Sequence, residues 1–132
     1  MPLQDVNQIT QMIIGCAYEV SNKLGIGFVE KVYENATAHL VRKSGLEVVQ
    51  QYPIKVAFDG IIVGEFFADL LVEKRVLVEL KAVSMLTSDH TAQALNYLRA
   101  TGLEVCLLIN FGRPKVEIKR LLPYVSWKTL KS

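Results

Sequence analysis

The chain reads as an α/β (α+β) protein with a mixed central β-sheet flanked by helices, its elements in the order α-α-β-β-β-α-β-β. Three observations predict this. Up to Gly45 the apolar residues recur at helical spacing; from Glu47 the period drops to two; and one later helical segment lies between short apolar runs. The run VCLLIN (105–110) is apolar almost throughout, which suits a strand covered on both faces.

The first helix is marked by Val6, Ile9, Ile13, Cys16/Ala17, Val20 and Leu24, with Asp5 as its cap and Gly25 past its end. After the break Gly25-Ile26-Gly27 a second helix puts Val29, Val32/Tyr33, Ala36 and Leu40 on its apolar face, and Gly45 closes it. Glu30 falls in its first turn, where the helix dipole favours a carboxylate, and Tyr33 is its neighbour on the helix surface. Residues 47–58 and 61–73 read as strands joined by a hairpin turn at Asp59-Gly60, and Pro53 marks the first as an edge or a bent strand. A third strand, 75–83, follows a tight turn at Glu73-Lys74.

Thr87 or Ser88 caps the next helix, Asp89 sits near its positive end, and Thr101-Gly102 stops it. Leu95 and Leu98 are its core contacts, while Ala92 and Ala94 let it approach the sheet. Phe111-Gly112-Arg113-Pro114 turns the chain into a last strand, with Val116, Ile118 and Arg120 on one side and Lys115, Glu117 and Lys119 on the other. Residues 1–132 are expected to form a single domain, with 123–132 a loosely ordered tail whose Trp127 and Leu130 dock on the body or on a partner.

The formal charge of +2 does not argue for nucleic acid by itself, so a local basic patch would have to carry that case. The start, MPLQDVNQIT, has neither a basic opening nor a long apolar run, and no stretch approaches the roughly 18 apolar residues of a membrane span. Cys16 and Cys106 read as two buried thiols of a reduced, cytoplasmic protein, with a disulfide as the alternative. His39 and His90 make no zinc pattern with them; His39 reads as a helix-surface residue, and His90 stands one turn before Gln93.

The chemistry concentrates in residues 64–81. Phe66, Ala68, Leu70 and Val72 share one face by alternation, as do Val76, Val78 and Leu80 on the next strand. Burying both sets together centres the turn on Lys74 and opposes Val72 to Val76, Leu70 to Val78 and Ala68 to Leu80. The same register opposes Asp69 to Glu79, with Lys81 next on that face. Two carboxylates about 5 Å apart repel by about 3 kcal/mol at an effective dielectric near 20. A shared proton, Lys81 or a hard divalent cation would relieve this. The bland alternative is a solvated charged face, although Leu71 and Leu77 lie on it and argue that it is partly covered. On the later helix Gln93, Asn96 and Tyr97 form a polar stripe, suited to a phosphate or a water, or simply to solvent.

Together these residues resemble the PD-(D/E)XK nuclease superfamily: Asp69 matches its metal-binding Asp, and Glu79-Leu80-Lys81 its (D/E)-x-K. Gly64 to Asp69 and Gln93-Ala-Leu-Asn-Tyr97 are similar to elements of the RecB-like branch, with Ala68 in place of a proline and Glu65 in place of an apolar residue. Gly27-Phe28-Val29-Glu30-Lys31-Val32-Tyr33 resembles the signature of the GxxExxY proteins. The resemblance implies a restriction-endonuclease-like core and hydrolysis of phosphodiester bonds in nucleic acid, DNA more than RNA. It implies Mg²⁺, or Mn²⁺ as a substitute, held by Glu30, Asp69, Glu79 and the Leu80 carbonyl. Lys81 would then position the water, Gln93 and Tyr97 would orient water or phosphate, and a homodimer would supply more surface for a duplex. Two other readings stay open: a non-catalytic module gripping nucleic acid through Arg113, Lys115, Lys119 and Arg120, and a protein-interaction subunit using the Trp127 tail.

Overall fold

The computed structural model describes residues 5–123, so the docking expected of Trp127 and Leu130 lies outside the described residues. Helix α1 (Val6–Leu24) begins where the sequence supplies a reciprocal cap: the Asp5 carboxylate accepts from the Asn7 and Gln8 amides, and the Gln8 side chain accepts from the Asp5 amide. Helix α2 (Glu30–Lys43) follows a turn pinned by its own first-turn tyrosine. The Tyr33 hydroxyl donates to the Gly25 carbonyl at 2.6 Å and accepts the Phe28 N–H at 3.3 Å. Gly27, with φ of +111°, makes that turn, and the Tyr33 ring stacks on Phe111 at 4.7 Å.

The apolar face expected of α2 is rotated. Val29 is an exposed cap residue, while Tyr33, Glu34, Thr37, Ala38 and Val41 are the buried positions. The rotation follows from Tyr33, which must face the turn and Phe111, and it carries the charged Glu34 inward.

Strands β1 (Val48–Phe58), β2 (Ile61–Val72), β3 (Val76–Lys81), β4 (Val105–Asn110) and β5 (Glu117–Leu121) form one sheet in that spatial order. Helix α3 (Ser88–Thr101) makes the crossover between β3 and β4, the one parallel pair among the described residues. The element order and the mixed sheet are those the sequence predicts. Helices α1 and α2 cover one face, where Ile13, Ala17 and Tyr33 cluster with Leu70, Val78, Leu107 and Ile109. Helix α3 covers the other, where Ala94, Leu95 and Leu98 meet Leu71, Leu77, Cys106 and Leu108. Ala92, expected at the sheet, is exposed instead. Cys16 and Cys106 are free, buried thiols on opposite faces of the sheet.

Both hairpin turns use paired left-handed residues: Asp59 (φ +54°) with Gly60 (+77°), and Glu73 (+53°) with Lys74 (+57°). Pro53 lies in β1, at the edge of the sheet. The four residues Phe66, Ala68, Leu70 and Val72 do not share a face, contrary to simple alternation. Leu70 and Val72 join the α1/α2 cluster, whereas Ala68 joins the α3 cluster and the Phe66 ring lies against Tyr97 of α3. The swap falls opposite Gln51 of β1, whose φ of +54° breaks the extended backbone, so the outer half of the β1–β2 hairpin turns onto α3.

Gly112 is fixed by a close approach. A Cβ there would lie 2.1 Å from the Val83 carbonyl oxygen, so no side chain fits between the two segments. Gly112→Ala should therefore lower stability by about 2 kcal/mol or more in urea titration. Gly15→Ala, on an open helix surface, should raise it by about 0.5–1 kcal/mol. Equal effects of the two substitutions would contradict this packing.

Candidate active site

The β2–β3 ladder has the expected register, Leu70 with Val78 and Val72 with Val76, but it ends there, and Ala68 does not pair with Leu80. Beyond the ladder two side chains take over the backbone groups. The Asp69 carboxylate accepts the Leu80 N–H at 2.7 Å, and the Glu79 carboxylate accepts the Asp69 N–H at 3.1 Å. The twist at Gln51 explains the exchange: once Ala68 turns toward α3, the strands part and their amides need new acceptors. Asp69 and Glu79 are thus opposed as the register requires, each bound to the other strand.

Glu79 is only 5% exposed, and Asp69 is half-buried. Burial, and then the charge of Asp69, push the Glu79 carboxyl up to about 8, against the pull of the Asp69 N–H and the Lys81 ammonium. Burial also raises Asp69, reinforced by the charges of Glu34 and Glu30 and opposed by its bonds to Leu80 and Gln51. Burial thus favours the protonated form of Glu79, so near neutral pH the pair holds a proton that an incoming cation would displace.

Around the pair, α2 contributes two acids. Glu30 stands exposed in the first turn, and its charge reaches both Asp69 and Glu79. Glu34 was not singled out by the sequence, yet it is 3% exposed and densely held. It takes the Lys31 ammonium at 3.1 and 3.2 Å and the amides of Gln50 and Gln51 at 2.8 Å each. The Gln51 amide also reaches Asp69 at 3.3 Å, so Glu34 fixes Asp69 through Gln51. A signal was present in the sequence: Glu34 is four residues after Glu30 and thus on the same helix face.

On β3, Lys81 is half-buried and makes no direct ion pair among the described residues. Its backbone is clamped, since its carbonyl accepts the Phe111 N–H at 2.8 Å. Its neighbour Asn110, fully buried, accepts the Val83 N–H and donates to the Val83 carbonyl, both at 2.9 Å. Asn110 was also missed, because a lone Asn at a strand end reads as a turn residue.

On the far side Tyr97 is buried on α3, its ring 5.7 Å from that of Phe66. Burial, then the charges of Glu79 and Asp69, hold its hydroxyl above the usual phenol range. Gln93 lies one turn earlier, exposed. Asn96, on the expected polar stripe, is taken by Arg99. His90 is absorbed in the cap of α3, where its Nδ1 accepts the Thr87 N–H, and His39 is exposed on α2 as expected.

The profile of the PD-(D/E)XK nuclease superfamily matches residues 7–121. The chain belongs to the PD-(D/E)XK nuclease superfamily. It is also similar in structure to an alkaline exonuclease from Laribacter hongkongensis, at 16% identity and a TM-score of 0.48, over 92% of this chain and 72% of that one. No curated protein matches it in sequence. The superfamily assignment agrees with the mixed sheet and its flanking helices, and nucleases of this superfamily generally use divalent metal ions. No helix among the described residues is long and apolar enough to cross a membrane.

No three His, Cys, Asp or Glu side chains among the described residues come together as a ready-made cage, and Glu30 stands exposed with its charge acting on both acids of the pair. The basic set Arg113, Lys115, Lys119 and Arg120 is divided by the alternation of β5: Arg120 bonds Asn7 of α1, while Lys119 faces α3. Of the four, Lys119 and Arg120 thus stand on opposite faces of β5, as the alternation of the strand requires.

The raised Glu79 carboxyl has a signed consequence. It keeps its proton up to about pH 8 when folded and loses it near 4.5 when unfolded. Stability of the metal-free protein should fall as pH rises between those values. Glu79→Gln should flatten the dependence, measured as Tm against pH; a wild-type curve no steeper than the variant's would contradict it.

Proposed function

We propose that this protein is a metal-dependent nuclease that hydrolyses phosphodiester bonds, of DNA in preference to RNA, and that it lies in the RecB-like branch and the GxxExxY group. The observation that carries this reading is the opposed, desolvated pair Asp69 and Glu79 with Lys81 two residues on and free of any direct ion pair among the described residues.

The donor set fits a hard cation. Asp69 and Glu79 offer carboxyl oxygens in a poorly hydrated site, where a cation would displace the Glu79 proton, and Glu30 adds a third acid at the rim. Because the N–H and C=O of a strand residue face the same neighbour, the Leu80 carbonyl is directed into the same gap as its N–H. Glu30, Asp69, Glu79 and the Leu80 carbonyl would hold Mg²⁺, with Mn²⁺ as a substitute. When bound, such an ion supplies charge neutralisation at the scissile phosphate and a more acidic water.

The chain's own groups do the rest. The Lys81 ammonium positions the attacking water and meets charge building on the phosphate, and its clamped backbone holds it there. The Tyr97 hydroxyl stays protonated and so donates a hydrogen bond to a phosphate oxygen or a water, with Gln93 assisting from the preceding turn. Glu34 and Gln51 keep Asp69 aimed. The two free, buried thiols support a reduced, cytoplasmic setting. The exposed apolar tip of the β1–β2 hairpin, Phe58, Ile61, Ile62 and Val63, supports a homodimer. Ile61→Lys with Val63→Lys would then reduce the sedimenting mass, and an unchanged mass would count against it.

Single-stranded DNA, double-stranded DNA and RNA of one sequence should be incubated with the protein and Mg²⁺ or Mn²⁺. DNA should be cut, and the Glu79→Ala/Lys81→Ala variant should lose at least about 10²-fold in rate. Wild-type cleavage no faster than the variant's would sink the proposal.

A further inference from the structure

A groove of about 660 Å³ runs between the outer β1–β2 hairpin and α3, and one of its walls is Tyr97, whose hydroxyl feels the charges of Glu79 and Asp69. Its size falls within the roughly 300–1,000 Å³ typical of small-molecule sites. Val56, Phe66 and Tyr97 give it an apolar and aromatic wall, while Gln93, Asn96 and Arg99 lie along it with polar heads. We propose that this groove receives an unpaired base of the strand being cut, so that the preferred substrate is single-stranded DNA or a frayed end. The inference rests on the nuclease reading of Asp69 and Glu79 and names the substrate form.

The position of the groove supports it. Phe66 precedes Asp69 by three residues on one strand, about 10 Å. Tyr97 forms a wall of the groove and packs in the same cluster as Ala68, beside Asp69, and Leu77. A phosphate at the carboxylates and a base in the groove are thus within reach of adjacent nucleotides. The exposure of Phe66 needs a reason, too: it is 43% exposed, yet Gly64 leaves room beneath it, with the ring edge 3.3 Å from where a Cβ would stand. A ring held in place with an open surface is a stacking platform, and such stacking tolerates any base.

The polar heads suit the same occupant. The Gln93 amide offers donors and an acceptor, as base edges do, while the Asn96 oxygen already accepts from Arg99, whose guanidinium keeps further donors beside the groove, which the acidic Asp89 also lines. Electrostatics favour this over a duplex grip. The chain carries only +2 overall, and its β5 cations are divided between two faces, so phosphate contacts alone offer little affinity. Bases in an intact duplex are stacked on one another and cannot enter the groove without being unpaired.

Fluorescence anisotropy with a labelled oligo(dT) and with a blunt duplex of equal length, in EDTA so that no cleavage occurs, tests this directly. The single strand should bind at least about tenfold tighter. Phe66→Ala should remove about tenfold of that affinity, and Phe66→Trp should keep it. Ala92→Trp fills the groove from an exposed helix position without disturbing the core, and should also cost about tenfold on the single strand while leaving duplex binding unchanged. Equal affinity for duplex and single strand, or an Ala92→Trp protein that binds as the wild type does, would overturn the proposal. Metal-free binding separates the two readings: groove-dependent binding without cleavage overturns only the nuclease, and cleavage insensitive to Ala92→Trp overturns only the groove.

Discussion

Two carboxylates that each hold the other strand's backbone set the character of this molecule. Where the β2–β3 ladder ends, Asp69 accepts the Leu80 N–H and Glu79 accepts the Asp69 N–H. Neither acid can turn away to solvent without stranding an amide, so hydrogen bonds hold the two carboxyls together. The price appears in the raised Glu79 carboxyl. Carboxyls perturbed in this way cluster at functional sites.

The rest of the fold serves that arrangement. The left-handed Gln51 turns the outer hairpin toward α3, which opens the gap and brings Phe66 against Tyr97. Tyr33 pins the turn before α2 and so places Glu30 and Glu34 on the other side. Asn110 and Gly112 lock the chain just after Lys81. Three elements distant in sequence converge because each has its own local anchor.

What the sequence made legible was whatever depends on periodicity and local turns. The Asp5 and Thr87 caps, the Asp59-Gly60 turn, the buried run of β4 and the Leu70–Val78 register all follow from patterns a few residues long. The opposition of Asp69 and Glu79 follows from that register. What was not legible depended on distant partners or on unusual backbone. A glutamine with positive φ has no sequence signature, so the face swap at Ala68 was missed. Glu34 looks like a surface acid until Gln50 and Gln51, in another element, bring their amides to it. Asn110 acts through Val83, on a different segment. The β5 cations show the converse: close in sequence, they are parted by strand alternation.

The central claim is that the Asp69–Glu79 pair is built for a cation. Anomalous diffraction from crystals soaked in Mn²⁺ tests it most directly. The account predicts a peak between the two carboxylates, about 2–2.3 Å from an oxygen of each. A peak confined to other acids, or none at millimolar Mn²⁺ with both carboxylates ordered, would contradict it.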